Sequence, residues 1–355
     1  MPETHTSAVA LEPFPRRIGS EQALDDVLTQ PTPALIREIK SIQSPLVLLG
    51  AGGKMGPSLA VLARRAADNS GHPLKIIAVS RFSNPDARTW LEARGIETLS
   101  ADLLDASEVA RLPDSNNLIY LVGLKFGTAE NPSLTWAMNT LVPHHVSQRY
   151  SNSNIVALST GNVYPMSPVA QGGSLESDPL TPVGEYPNAA VARERIFEFQ
   201  SRRLGTPVAL LRLFYAVELR YGVVSDIARI IHRGDELPLA NGFFNCIWQR
   251  DANEQVLRSF PLCQSPPSVW NLCQPQVFSV RDTAVRLGEL LGRAPRFTHA
   301  EANTALLGNA QRLCQRLGAP LVSMDSILEC TADWVKHQRT LWNKPTHFEV
   351  RDGRY

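Results

Sequence analysis

From Pro45 onward the chain alternates short, unbroken apolar runs with longer stretches of mixed polarity. PLVLLG, LKIIAVS, NLIYLVG, NIVALS and PVALLRLF are the apolar runs, set off by Gly, Pro, Asn or Ser. Continuous rather than alternating hydrophobicity belongs to strands covered on both faces, the condition inside a parallel sheet. Between them lie SLAVLARRAADN, TWAMNTLVPHHVSQRY and ARERIFEFQSRRL, each long enough for a helix. Strand–helix alternation of this kind predicts an α/β fold with a doubly wound parallel sheet. Before Pro45, SEQALDDVL and TPALIREIKSI read as helices, the first with Ser20 as N-cap. Beyond Phe214 the rhythm loosens into SDIARIIHRG, FFNCIWQRDANE and VFSVRDTAVRLGELLG, where Ser279 and Asp282 open a helix in the manner of a capping box. The chain thus divides into a helical extension (1–44), a sheet domain (45–215), a smaller mixed α/β C-terminal domain suited to a substrate (216–345, some of it returning to the sheet) and a tail (346–355).

Charge removes several classes of partner. The formal net charge is +1, and the basic residues are spread without runs, so neither nucleic acid nor an anionic membrane is expected. No apolar stretch approaches the roughly 18–20 residues that cross a bilayer. The N-terminal residues carry Glu3 and Glu12 and lack a basic start followed by an apolar core, which points to a cytoplasmic protein. The five cysteines form no C-x-x-C pair and read as reduced thiols. No metal site is expected, since His144 and His145 are adjacent and on a helix would point apart.

The apolar run PLVLLG leads directly into GAGGKMG, with glycines at 50, 53 and 56, and then into a helical stretch. Gly50 suits the tight turn, Gly53 lets bare main chain approach a pyrophosphate, and Gly56 lets helix and strand pack closely. The free N–H groups and positive end of the helix would then face the phosphates. Lys54 and Met55 complete this cradle. Lys54 is not followed by Ser or Thr, so the loop is not of the nucleoside-triphosphate type. The sheet domain is therefore of the Rossmann type, binding a nicotinamide dinucleotide. The second strand ends in Ser80–Arg81. Ser80 lacks the acid that would hold ribose hydroxyls, and the planar fork of Arg81 suits a 2′-phosphate, so NADP is favoured, with NAD as the alternative. Asp102 and Leu103, after the third strand, stand where an adenine edge is met.

The chain resembles the extended short-chain dehydrogenase/reductases, the NAD(P)-dependent epimerase/dehydratase group, over roughly Pro45 to Trp334. The resemblance rests on GAGGKMG, on LVG at 121–123, on WAMNT at 136–140, on STGNVYP at 159–165, on EYPNAAVARE at 185–194 and on RLFYAVE at 212–218. It implies that Val122 and Gly123 border the cofactor, that Thr160 helps hold the reacting oxygen, and that Tyr186 serves as acid/base beside the cofactor. It further implies a carbohydrate-like substrate near Asn162, Tyr164, Tyr215 and Trp248. The helices with Trp136, Leu141, Ile196 and Phe199 resemble those that pair across a two-fold axis, so a homodimer is implied.

Two departures matter. The family's Lys, four residues after the Tyr, is here Ala190, while Glu194 again fits the pattern. A free phenol has a pKa of about 10 and is about one part in a thousand ionised at pH 7. A cation at about 4 Å would contribute roughly 4 kcal/mol toward ionising it at an effective dielectric of 20. Lys125, just past the fourth strand, is the preferred stand-in. Arg193 lies on the same helical face as Tyr186 but reads as a partner in a surface ion pair. The second departure is at Phe244, where sugar-nucleotide members often carry a base that grips the substrate diphosphate, which favours a free sugar, sugar acid or polyol. The expectation is an NAD(P)-dependent oxidoreductase or epimerase/dehydratase. The alternative is a non-catalytic NAD(P)-binding sensor or partner protein.

Overall fold

The computed structural model describes residues 13–124, 130–344 and 346–353. Its centre is a sheet of seven parallel strands: β1 (Leu46–Leu49), β2 (Ile76–Ser80), β3 (Glu97–Ser100), β4 (Asn117–Tyr120), β5 (Asn154–Thr160), β6 (Val208–Leu213) and β7 (Ser268–Leu272). Their spatial order is β7-β6-β5-β4-β1-β2-β3. The apolar runs account for this directly. All four residues of β1 are buried, Leu46 and Leu48 in the core on one face and Val47 and Leu49 in the core on the other. Each such side chain contributes about 1.5–3 kcal/mol on full burial. β3, which reads ETLS, closes the sheet as an edge with exposed or half-exposed residues.

Helices cover both faces. On one lie α3 (Gly56–Ser70), α4 (Pro85–Glu92) and α9 (Gln249–Leu257); on the other lie α5 (Ala106–Ala110), α6 (Pro132–Arg149) and α7 (Glu185–Leu204). The chain order reverses between β1 and β4, and in open sheets such a switch point leaves a crevice at the carboxyl ends of the strands. The glycine turn after β1 and the first turn of α7 border that crevice.

A second apolar core gathers α8 (Val223–Arg233), α10 (Val280–Leu291) and α11 (Met324–Lys336). Ser279 Oγ accepts the N–H of Asp282 at the start of α10, at 3.0 Å. Residues 249–272 leave this core: α9 packs on α3, and β7 pairs in parallel with β6. The N-terminal helices α1 (Glu21–Leu28) and α2 (Pro33–Glu38) bridge the two regions. Ser20 caps α1 through the N–H of Ala23, as its sequence position suggests. Leu24 and Leu28 enter the second core, whereas Leu35 and Ile39 enter the first. Asp25 accepts the Trp90 indole N–H at 3.2 Å and pairs with Arg220 at 3.2 Å, so α1 ties α4 of the sheet layer to the second core. Among the described residues, no helix is long and apolar enough to cross a membrane.

Candidate active site

The first βα turn is built for close approach. Gly50 has φ of 81°, its N–H bonds the carbonyl of Val79, and the N–H of Gly53 closes back on its carbonyl at 3.1 Å. A Cβ at Gly50 would lie 3.0 Å from Val122, and one at Gly56 would lie 2.3 Å from the carbonyl oxygen of Ala51. No side chain caps the start of α3. Bare main chain, uncapped N–H groups and the positive end of a fifteen-residue helix fit a pyrophosphate.

A cleft of about 250 Å³ opens beside this turn, at the carboxyl ends of β4, β5 and β6. Of the residues singled out from sequence, it brings together Gly50, Gly53, Lys54, Met55, Gly56, Val122, Gly123, Thr160, Asn162, Tyr186 and Tyr215. Lys54 reaches across it, donating to the carbonyl of Ala216 at 2.5 Å with its ammonium 4.0 Å above the Tyr221 ring. Ser80, Arg81, Asp102 and Leu103 lie outside the cleft, at the ends of β2 and β3. Ser80 stands against the glycine turn, its Oγ 2.6 Å from where a Cβ of Gly52 would be. Arg81 is exposed. The Asp102 carboxylate accepts the N–H of Leu104 at 3.0 Å, and Leu103 is buried. Lys125 lies outside the described residues.

Tyr186 and Thr160 reach the cleft from different elements. β5 ends at Thr160, whose hydroxyl accepts the N–H of Asn162 at 3.2 Å and donates to its side-chain oxygen at 3.1 Å. Tyr186 sits in the first turn of α7, and its side chain is nearly buried at 6% exposure. Glu194, two turns along, fixes the helix to the sheet. It accepts from Ser159 and pairs with Arg212 of β6 at 2.7 Å, both side chains being 5% exposed. Arg212 also donates to the Tyr164 hydroxyl at 2.6 Å, which in turn donates to Asn271 of β7 at 2.8 Å. The register of Tyr186 against Thr160 therefore rests on a buried polar chain running across three strands.

Four residues stand elsewhere than their sequence context suggests. Tyr164 belongs to this buried chain and does not line the cleft; burial pushes its phenol up to about 12, so it stays neutral and can both donate and accept. Trp248 is fully buried in the second core, edge-on to Phe14 with ring centres 5.4 Å apart. Phe244 is buried in the same core against Phe278, out of reach of any ligand, so its identity carries no information on a diphosphate. Arg193 is not a surface residue: it is 3% exposed, lines the cleft and donates to the carbonyl of Val122 at 2.9 Å.

Sequence reasoning also missed Phe214, Tyr221 and Thr346, all of which line the cleft. Thr346 is held there by two hydrogen bonds to the carboxylate of Asp226 on α8, at 2.8 and 2.7 Å. Nothing local in the sequence marks a residue so far along the chain as part of the site. Tyr221 follows the short strand Tyr215–Val217 and precedes Gly222, a turn signal that could have been used.

The parallel sheet, glycine turn and tyrosine-bearing cleft define a dinucleotide-binding protein of the extended Rossmann type. Residues 46–242, more than half of the chain, match the NAD dependent epimerase/dehydratase family, and the chain belongs to that family of enzymes. No curated protein matches the sequence. Among solved structures, Pal from Bacillus thuringiensis is 16% identical with a TM-score of 0.68, the match covering 83% of this chain and 100% of that one. The UDP-glucuronic acid 4-epimerase from Bacillus cereus, solved with UDP-glucuronic acid and NAD, is 15% identical with a TM-score of 0.68, covering 82% and 99%. The UDP-glucose 4-epimerase of Thermus thermophilus, solved with NAD, is 16% identical with a TM-score of 0.65, covering 81% and 98%. At these identities the likeness is one of fold.

Proposed function

We propose that the protein is an NAD(P)-dependent epimerase, dehydratase or oxidoreductase that acts on a hydroxyl or carbonyl carbon of a carbohydrate-like substrate, with Tyr186 as acid/base. The observation that carries this reading is the convergence of the glycine turn, Thr160, Asn162 and Tyr186 on one cleft. The dinucleotide would be held by the turn at 50–56 and would supply hydride acceptance and return. The rest falls to the chain's own side chains. Tyr186 exchanges one proton with the substrate oxygen as hydride leaves or returns at the adjoining carbon. Thr160 orients that oxygen by turning its hydroxyl away from Asn162, and Asn162 and Tyr215 contribute further polar contacts. The cleft carries Lys54 and Arg193, and no Asp or Glu lines it among the described residues, which suits an anionic cofactor.

NADP is the proposed cofactor form. Its support is the hydroxyl of Ser80 in place of an acid beside the turn, and the exposed guanidinium of Arg81 next to it. Arg81→Ala is expected to weaken NADPH binding about tenfold or more while changing NADH affinity little, as read by calorimetry. Equal loss for both would shift the assignment to NAD. A homodimer is proposed through α6 and α7, where Trp136, Leu141 and Phe199 are 38%, 49% and 57% exposed.

The function is tested by supplying purified protein with NAD(H) or NADP(H) and panels of free sugars, sugar acids and nucleotide sugars. The expected outcome is epimer formation, loss of water or a change in nicotinamide absorbance with one class. Tight cofactor binding without turnover on any panel would instead identify a non-catalytic sensor.

A further inference from the structure

Position 190 offers no cation, and the space beside it is closed to one. Ala190 is fully buried in an apolar cluster with Val163, Phe214 and Leu306. The Phe214 ring is wedged between two glycines: a Cβ on Gly161 or Gly308 would lie 2.4 or 2.2 Å from it. Two turns beyond Tyr186, on the same face of α7, stands Arg193. Side chains on a helix lean toward its N-terminus, so the stem of Arg193 leads back toward Tyr186.

The state of Arg193 is unusual among the buried arginines. Arg212 and Arg250 each pair with a carboxylate, at 2.7 and 3.0 Å. Arg193 has no ion pair among the described residues, and its Nε has no hydrogen-bond partner. Its neighbour Glu194 is committed to Arg212. The guanidinium lies over the main chain of Gly123, where a Cβ would come within 2.7 Å of it. A buried charge lacking a counter-ion is among the least favourable arrangements a fold can hold, and its retention points to an anion that forms during function.

We propose that Arg193 supplies, from two turns along α7, the positive charge that stabilises the ionised phenol of Tyr186, in place of the cation that position 190 cannot carry. The proposal rests on the reading of Tyr186 as acid/base. Arg193 is a positioning residue: it remains charged throughout and exchanges no proton, so the transferred proton stays between Tyr186 Oη and the substrate oxygen. Among the described residues, the other charged or titratable groups in the cleft are Lys54, whose ammonium lies over Tyr221, together with Tyr215 and Tyr221; Tyr120 is buried beside Arg193 from β4.

The test uses the full chain and two readouts. Phenolate absorbance is followed on alkaline titration without substrate, as the difference between each protein and its Tyr186→Phe counterpart, which isolates one of seven tyrosines. The pH dependence of turnover is measured in parallel. In Arg193→Met the Tyr186 step is expected to move up by about one to three pH units, with turnover at neutral pH falling by a matching factor of about 10 to 1,000. Arg193→Lys should keep most of both. Because Arg193 has no counter-ion among the described residues, Arg193→Met should melt at or above the wild-type temperature. An unshifted titration, or a variant that fails to fold, overturns the proposal and makes Arg193 structural. The Tyr186 reading fails separately, if Tyr186→Phe retains turnover.

Discussion

Replacing Tyr186 by Phe is expected to leave a folded protein that binds its dinucleotide normally and turns over roughly 10²–10⁴-fold more slowly, the usual contribution of a placed general acid/base. The substitution removes one oxygen atom from a ring that the walls of the cleft already bury almost completely, so packing is preserved. The proposed phosphate cradle is main chain at Gly50–Gly56, on a different element, and should be unaffected. A calorimetric Kd for NADP(H) close to wild type, together with a collapsed kcat, is the expected pair of results. Loss of cofactor affinity with little change in kcat would instead make Tyr186 a binding residue.

Removing Glu194 should have the largest effect on stability. Its carboxylate is the counter-ion of Arg212, and the pair is almost dry. Burial alone would lower the pKa of Arg212, but the hydrogen bonds and charge of Glu194 hold it above the ordinary value. Glu194→Ala would leave a guanidinium enclosed and uncompensated and would free the Ser159 hydroxyl, a change that typically costs about 3–5 kcal/mol. That corresponds to a fall in melting temperature on the order of 10 °C by calorimetry. Activity should fall as well, because α7 loses its anchor to β5 and β6 and Tyr186 is set by that anchor. A variant that melts within a degree or two of wild type would show that the ion pair contributes nothing net to folding. Arg193 makes the opposite case on the same helix, since its removal leaves no charge stranded.

The parts of this architecture governed by local rules were legible in the chain. Unbroken apolar runs marked five of the seven sheet strands, and glycines spaced for a tight turn marked the turn between β1 and α3. Tyr186 and Thr160 could be placed together at the cleft because the motifs that hold them resemble those of one family. Side-chain direction was harder to read. RERIFEFQSRR is rich in charge and suggests a solvated helix, yet Arg193 faces inward while Arg195 is exposed at an ion pair with Glu198. Helical phase alone placed Arg193 beside Tyr186, and the polar composition argued against trusting it. Trp248 and Tyr164 show the same ambiguity from the other side: an aromatic suits a ligand or a core equally well, and here the core took both. The return of residues 249–272 to the sheet, and the arrival of Thr346 at the cleft, are contacts between distant parts of the chain with no local signature.

The strut formed by α1 has a consequence for how molecules come and go. With Asp25 fastened to both Trp90 and Arg220, and Leu24 and Leu28 sunk in the far core, α1 staples the two halves of the protein together. The gap between them is set before any visitor arrives. Entry is then expected through a standing cleft, lined by side chains such as Lys54 and Tyr221, rather than by the swing of one jaw against the other.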